Sequence, residues 1–99
     1  MKSEIPTPTI GEILKEKFLT PLSITAYRLA KQLHVSTSTV LDLINGKRKL
    51  SVEMALKLSK FFGTSDKFWI NLQTDIEIRN KKQKIKNELD KIATISKAS

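Results

Sequence analysis

Thr25 and Ser36 constrain this chain more than any other pair of residues, because each stands directly before a short run of apolar residues at helical spacing. A hydroxyl in that position accepts a hydrogen bond from an orphan amide of the first turn and so marks a helix start. Thr25 opens a helix carrying Ala26, Leu29, Ala30 and Leu33. After His34 and Val35, Ser36 opens another from Thr37 to Asn45, with Val40, Leu43 and Ile44 inward and Gly46 as its left-handed terminator. Only a tight turn fits between the two. Small Ala30 permits a close crossing, and Thr37, Ser38 and Asp42 fall on the outward face with Leu41 beside them. Two short helices, a tight turn and polar side chains at the start of the second helix are what a helix-turn-helix requires. In that motif the second helix presents its N-terminal residues to base edges in the major groove.

The flanks add helices rather than strands. Residues 1–9, with two prolines and no periodicity, read as an extended arm. Thr9 and Glu12 form a capping box that starts a helix over Ile10 to Phe18, with Ile10, Ile13, Leu14 and Phe18 on one face and Pro21 preventing much further extension. Ser51 caps a helix whose Met54, Ala55, Leu58 and Phe62 repeat at three and four residues before Gly63 stops it. Ser65 caps the next, which carries Phe68, Trp69, Leu72 and Ile76. The expected fold is all-α: a compact, lambda-repressor-like bundle of about five helices over residues 10–79, joined by short turns. A basic tail over 80–99 follows. Its stripe Ile78, Ile85, Leu89 and Ile92 leaves three readings open: a helix packing on a partner, a nucleic-acid arm, or a partly disordered solubilising segment.

The charge is unevenly placed. Lysine and arginine number 18 against 10 acids, a formal charge of +8. Residues 1–24 balance at three each and 51–79 at four each, whereas 25–50 carry five cations and one acid, and 80–99 carry six and two. The first surplus coincides with the helix-turn-helix and the loop Lys47, Arg48, Lys49, as a phosphate-facing surface demands. With no cysteine and His34 as the single histidine, thiolate and histidine-cluster metal sites are excluded, and neither a cofactor nor a metal is implied. Glu12 has a capping task and His34 lacks a partner acid or nucleophile, so no enzyme is expected. No apolar run resembles a signal peptide or membrane span, which makes a cytoplasmic protein the expectation.

The stretch Tyr27-Arg28-Leu29-Ala30-Lys31, then Val35-Ser36 and Ile44-Asn45-Gly46-Lys47-Arg48, resembles the XRE/phage-repressor helix-turn-helix class. With Ile10-Gly11-Glu12-Ile13-Leu14, Phe62-Gly63-Thr64-Ser65 and Phe68-Trp69-Ile70-Asn71-Leu72-Gln73, the similarity narrows to the HigA/VapI-type antitoxin family over roughly residues 9–79. The resemblance implies a homodimer that binds double-stranded operator DNA in its own promoter and neutralises a small ribonuclease toxin of the RelE-like fold. It assigns base contacts to Thr37, Ser38, Leu41 and Asp42, and phosphate contacts to Thr25, Arg28, Thr39, Lys47, Arg48 and Lys49. The dimer contact is expected around Phe68, Trp69, Leu72 and Ile76. Two residues depart from the pattern: Asp42 stands where longer or basic side chains are usual, and His34 where glycine is usual. A basic tail pairs poorly with a basic toxin. An orphan regulator of the same class therefore stays open, as does a pure toxin-binding module with weak DNA affinity.

Overall fold

The Thr9 hydroxyl accepts the Glu12 amide at 3.0 Å while the Glu12 carboxylate accepts the Thr9 amide at 3.0 Å, so the first helix starts with the reciprocal cap that the spacing predicts. The computed structural model describes residues 7–95, in the order α1 (Ile10–Ile13), a π-helical stretch (Leu14–Leu19), α2 (Thr20–Leu22), α3 (Ala26–Leu33), α4 (Thr37–Ile44), α5 (Val52–Phe62), α6 (Phe68–Lys84) and α7 (Lys86–Asp90). Among the described residues there is no strand. The first three elements form one continuous rod, so the expected bundle of about five helices is present, with α7 as a short extension. Most of the expected N-terminal arm, residues 1–6, and the last tail residues, 96–99, lie outside the described residues.

Two helix boundaries differ from the sequence reading. The first rod runs through Pro21 to Leu22 instead of ending near Phe18. In a regular helix the proline ring would meet the carbonyl four residues back, and proline has no amide to donate. The widened stretch before it, where the Thr20 amide reaches the Lys15 carbonyl five residues back, accommodates the ring without ending the rod. Ser23, at φ 58, then terminates it, and the Ile24 amide returns to the Leu19 carbonyl at 2.9 Å. Ser65 does not cap α6 with its side chain. Lys67 holds the N-cap position without a side-chain bond, and the Phe68 amide goes to the Ser65 carbonyl at 3.2 Å.

Each remaining start and stop follows from its expected residue. Thr25, Ser36 and Ser51 accept the amides of Arg28, Thr39 and Met54, and Gly63 leaves α5 at φ +74. His34 takes the left-handed conformation at φ 60, and the Val35 amide reaches back to the Ala30 carbonyl at 3.0 Å. The turn geometry is thus kept with histidine where glycine would be free of strain.

One core joins all the main helices: Leu14, Leu29, Ala30, Leu33, Val40, Leu43, Leu50, Ala55, Leu58 and Trp69 are buried together. Trp69 is wholly enclosed within the protomer. Phe18 lies 4.6 Å from it and 5.0 Å from Phe62, centroid to centroid, so the aromatic cluster locks the first rod, α5 and α6 to one another. Placing Trp69 in a dimer contact therefore needs correction at the level of the side chain: it has no surface to offer a second copy. Phe68 is exposed, and Leu72 and Ile76 are half-buried against the core. No helix of the described residues is long and apolar enough to cross a membrane.

Candidate nucleic-acid interface

The second helix of the motif, α4, is held from behind and free in front. Val40 and Leu43 are fully enclosed, whereas Ser38 and Leu41 are exposed one turn apart, with Thr37 and Asp42 half-buried at the flanks. A helix whose inner residues are fixed this way can present its outer face without moving, which base reading requires.

Three hydroxyls converge at the start of α4. The Ser36 hydroxyl accepts the Thr39 amide at 3.2 Å and lies 2.8 Å from the Thr39 hydroxyl and 3.2 Å from that of Ser38. Capping and presentation are thus one structure: the residue that ends the turn also orients two neighbouring hydroxyls. Thr25 does the same work at the start of α3, where its hydroxyl accepts the Arg28 amide at 3.0 Å.

The cations sit as expected around this edge. Arg28, Lys47, Arg48 and Lys49 are exposed, and among the described residues Arg28, Lys47 and Arg48 make no ion pair. Thr39, Arg48 and Lys49 line one shallow cavity of about 240 Å³. Gly46 turns the chain at φ +78, and the Lys47 amide returns to the Asp42 carbonyl at 2.8 Å, which sets the basic loop directly beside the end of α4. Among the described residues, no three of histidine, cysteine, aspartate and glutamate gather as a metal site.

Three positioning residues escaped the sequence reading. Buried Gln73 accepts the Leu50 amide with Oε1 and donates Nε2 to the Leu50 carbonyl, both at 2.9 Å, so α6 grips the chain immediately after the basic loop. Glu77, one turn on, holds Lys49 at 3.1 Å. Gly11 lets α1 press its backbone against the last turn of α4. A usable signal existed for two of them. Trp69, Gln73 and Glu77 share one helix face at four-residue spacing, and a lone amide in line with a core tryptophan points to a buried bidentate contact.

Comparison with known proteins agrees with this arrangement. The helix-turn-helix family model matches residues 14–69. A helix-turn-helix transcriptional regulator of uncharacterised role from Haemophilus influenzae is 44% identical over 78 residues, covering 79% of this chain and 72% of that protein. Antitoxin HigA-1 of Vibrio cholerae is 35% identical over 80 residues, covering 81% of this chain and 75% of that protein. The structure of the Pseudomonas aeruginosa antitoxin HigA with the higBA promoter superposes with a TM-score of 0.81 at 31% identity, covering 94% of this chain and all of that one. Set beside a turn, caps and basic edge built as the motif requires, these similarities show that the chain belongs to the helix-turn-helix family, in its XRE class and HigA/VapI antitoxin type.

Proposed function

We propose that the chain is an operator-binding repressor that acts as a two-fold dimer, placing one α4 per subunit in successive major grooves, and that it serves as the antitoxin of a toxin–antitoxin module by neutralising a RelE-like ribonuclease. One observation carries the DNA half: an exposed band of hydroxyls and unpaired cations at the start of α4 and the loop after it, backed by fully buried residues of the same helix. In this reading Thr37, Ser38, Leu41 and Asp42 meet base edges, and Thr25, Arg28, Thr39, Lys47, Arg48 and Lys49 meet phosphates. The two-fold axis implies a palindromic operator with half-site centres roughly 34 Å apart or a multiple of that. The dimer contact falls to the surface that Trp69 leaves on α6, around Phe68, Leu72 and Ile76. The DNA-binding unit comprises residues 10–79 and the basic tail residues 80–99, in the cytoplasm.

Replacing Thr37 and Ser38 together with alanine is expected to lower the preference for the operator over its variants by about tenfold or more, at about 1 kcal/mol per lost base contact. Arg48→Ala should instead weaken all duplexes alike and reduce the logarithmic salt slope by about 0.9. Competition mobility-shift titrations against the chain's own upstream region measure both. An unchanged preference in the double variant removes the base-reading assignment.

Light scattering at micromolar concentration is expected to give twice the 11.2 kDa chain mass. A monomer both free and on DNA overturns the two-fold model. The orphan-regulator reading rests on the Haemophilus relative, which is named only as a transcriptional regulator. Co-purification with the product of a short adjacent reading frame favours the antitoxin, and its absence favours the orphan.

A further inference from the structure

The face of α6 that carries Gln73 and Glu77 does not end at the loop it holds. Lys81 and Lys84 continue it at four- and three-residue spacing, and Lys49, Glu77, Asn80, Lys81, Gln83 and Lys84 line a single open groove of about 590 Å³. Three lysines share that groove with one carboxylate, and the carboxylate is already engaged with Lys49 at 3.1 Å. Lys81 and Lys84 are exposed and make no ion pair among the described residues. On α7, by contrast, Lys86 is paired with Asp90 at 3.2 Å. The free positive charge beyond the motif is therefore concentrated where α6 passes the basic loop.

We infer that Lys81 and Lys84 form, with Lys49, an auxiliary phosphate-binding edge that takes the duplex backbone flanking the segment read by α4. This deepens the DNA-binding reading above and rests on it. Seven residues of helix separate Glu77 from Lys84, a rise of roughly 10 Å, and duplex DNA presents one charge about every 1.7 Å of its axis, so each lysine has its own phosphate within reach. The contact needs no rearrangement, because Gln73 fixes the loop to α6 through two hydrogen bonds and the groove moves with the recognition unit. Lysines in the last turn of a helix also complement its dipole. That structural role affects thermal stability and leaves the salt slope unmoved, so the two roles separate experimentally.

The test compares the wild type, Lys81→Gln with Lys84→Gln, the same pair changed to arginine, and a control with Lys86→Gln and Lys91→Gln. Each binds a long duplex carrying the operator with flanks and a short duplex trimmed to the α4-read segment, across a salt series. The glutamine pair is expected to reduce the salt slope on the long duplex by about 1.8, at about 0.9 per lost contact. It should leave operator preference and short-duplex binding as in the wild type. The arginine pair restores the slope, and the α7 control keeps it. An unchanged slope in the glutamine pair overturns the inference while wild-type operator preference leaves the helix-turn-helix reading intact. A glutamine pair that loses operator preference overturns it too, because the lysines would then be positioning α4. If the wild type binds without operator preference yet the slope still falls, the edge stands and the specific-repressor reading fails.

Discussion

Trp69→Ala is expected to lower the unfolding midpoint by at least about 15 °C, because truncating an enclosed tryptophan removes about 3–5 kcal/mol and each kcal/mol moves a domain of this size by about 4–8 °C. The effect is large because of where the ring sits. It lies 4.6 Å from Phe18, 5.2 Å from Phe68 and 5.8 Å from Phe62, so one truncation loosens the first rod, the end of α5 and the start of α6 together. A cavity bounded by three elements collapses poorly, which places the loss at the upper end for such changes. Trp69→Phe should lose less than half as much. It keeps an aromatic ring in the cluster, and the indole N–H it removes has no hydrogen-bond partner among the described residues. Thermal melts followed by far-ultraviolet circular dichroism at several protein concentrations measure the series. The loss should be independent of concentration, since the ring packs inside one protomer. A deficit that appears only on dilution would return Trp69 to a contact between copies.

That correction marks the limit of what the sequence made legible. Caps and terminators are local, so Thr9, Thr25, Ser36, Ser51, Gly46 and Gly63 act where pattern reasoning puts them. The apolar spacing of α3 and α4 likewise identifies the buried side of the motif. Tertiary facts were harder to read. Periodicity places Trp69 on an apolar face but cannot say whether that face meets its own chain or another. Pro21 signals a stop, yet a five-residue backbone bond just before it lets the rod continue. Ser65 has the right residue type for a cap, but it contributes its carbonyl while α6 begins at Phe68 with no side-chain cap. Within the candidate site, the exposed cations and hydroxyls follow from composition and position. Gln73 and Glu77 hold the loop from 23 and 28 residues away in sequence, and no local rule reports a contact at that distance.

Gly11→Ala should destabilise the chain by about 3 kcal/mol or more, the severe end of overpacking. It should also weaken operator binding in the molecules that remain folded. A Cβ there would stand 2.5 Å from the Ile44 carbonyl oxygen, 2.8 Å from its carbon, and closer still to the Leu43 carbonyl oxygen. These are backbone atoms, which cannot swing away as the tip of a side chain can. Relief requires α1 to lift from the last turn of α4, and that turn leads through Gly46 into the basic loop. The displacement is therefore transmitted to both groups of proposed DNA contacts. Gly46→Ala is the control, because nothing lies within 4 Å of its Cβ and only the φ of +78° opposes it. That strain amounts to about 1–2 kcal/mol. Melting curves should rank wild type, Gly46→Ala and Gly11→Ala in falling order, and mobility shifts well below both midpoints should show the Gly11 variant bound less tightly than its folded fraction explains. A Gly11→Ala chain that melts within a degree or two of wild type would mean that α1 is not pressed against α4, and the rigid support on which groove reading depends would have to come from elsewhere.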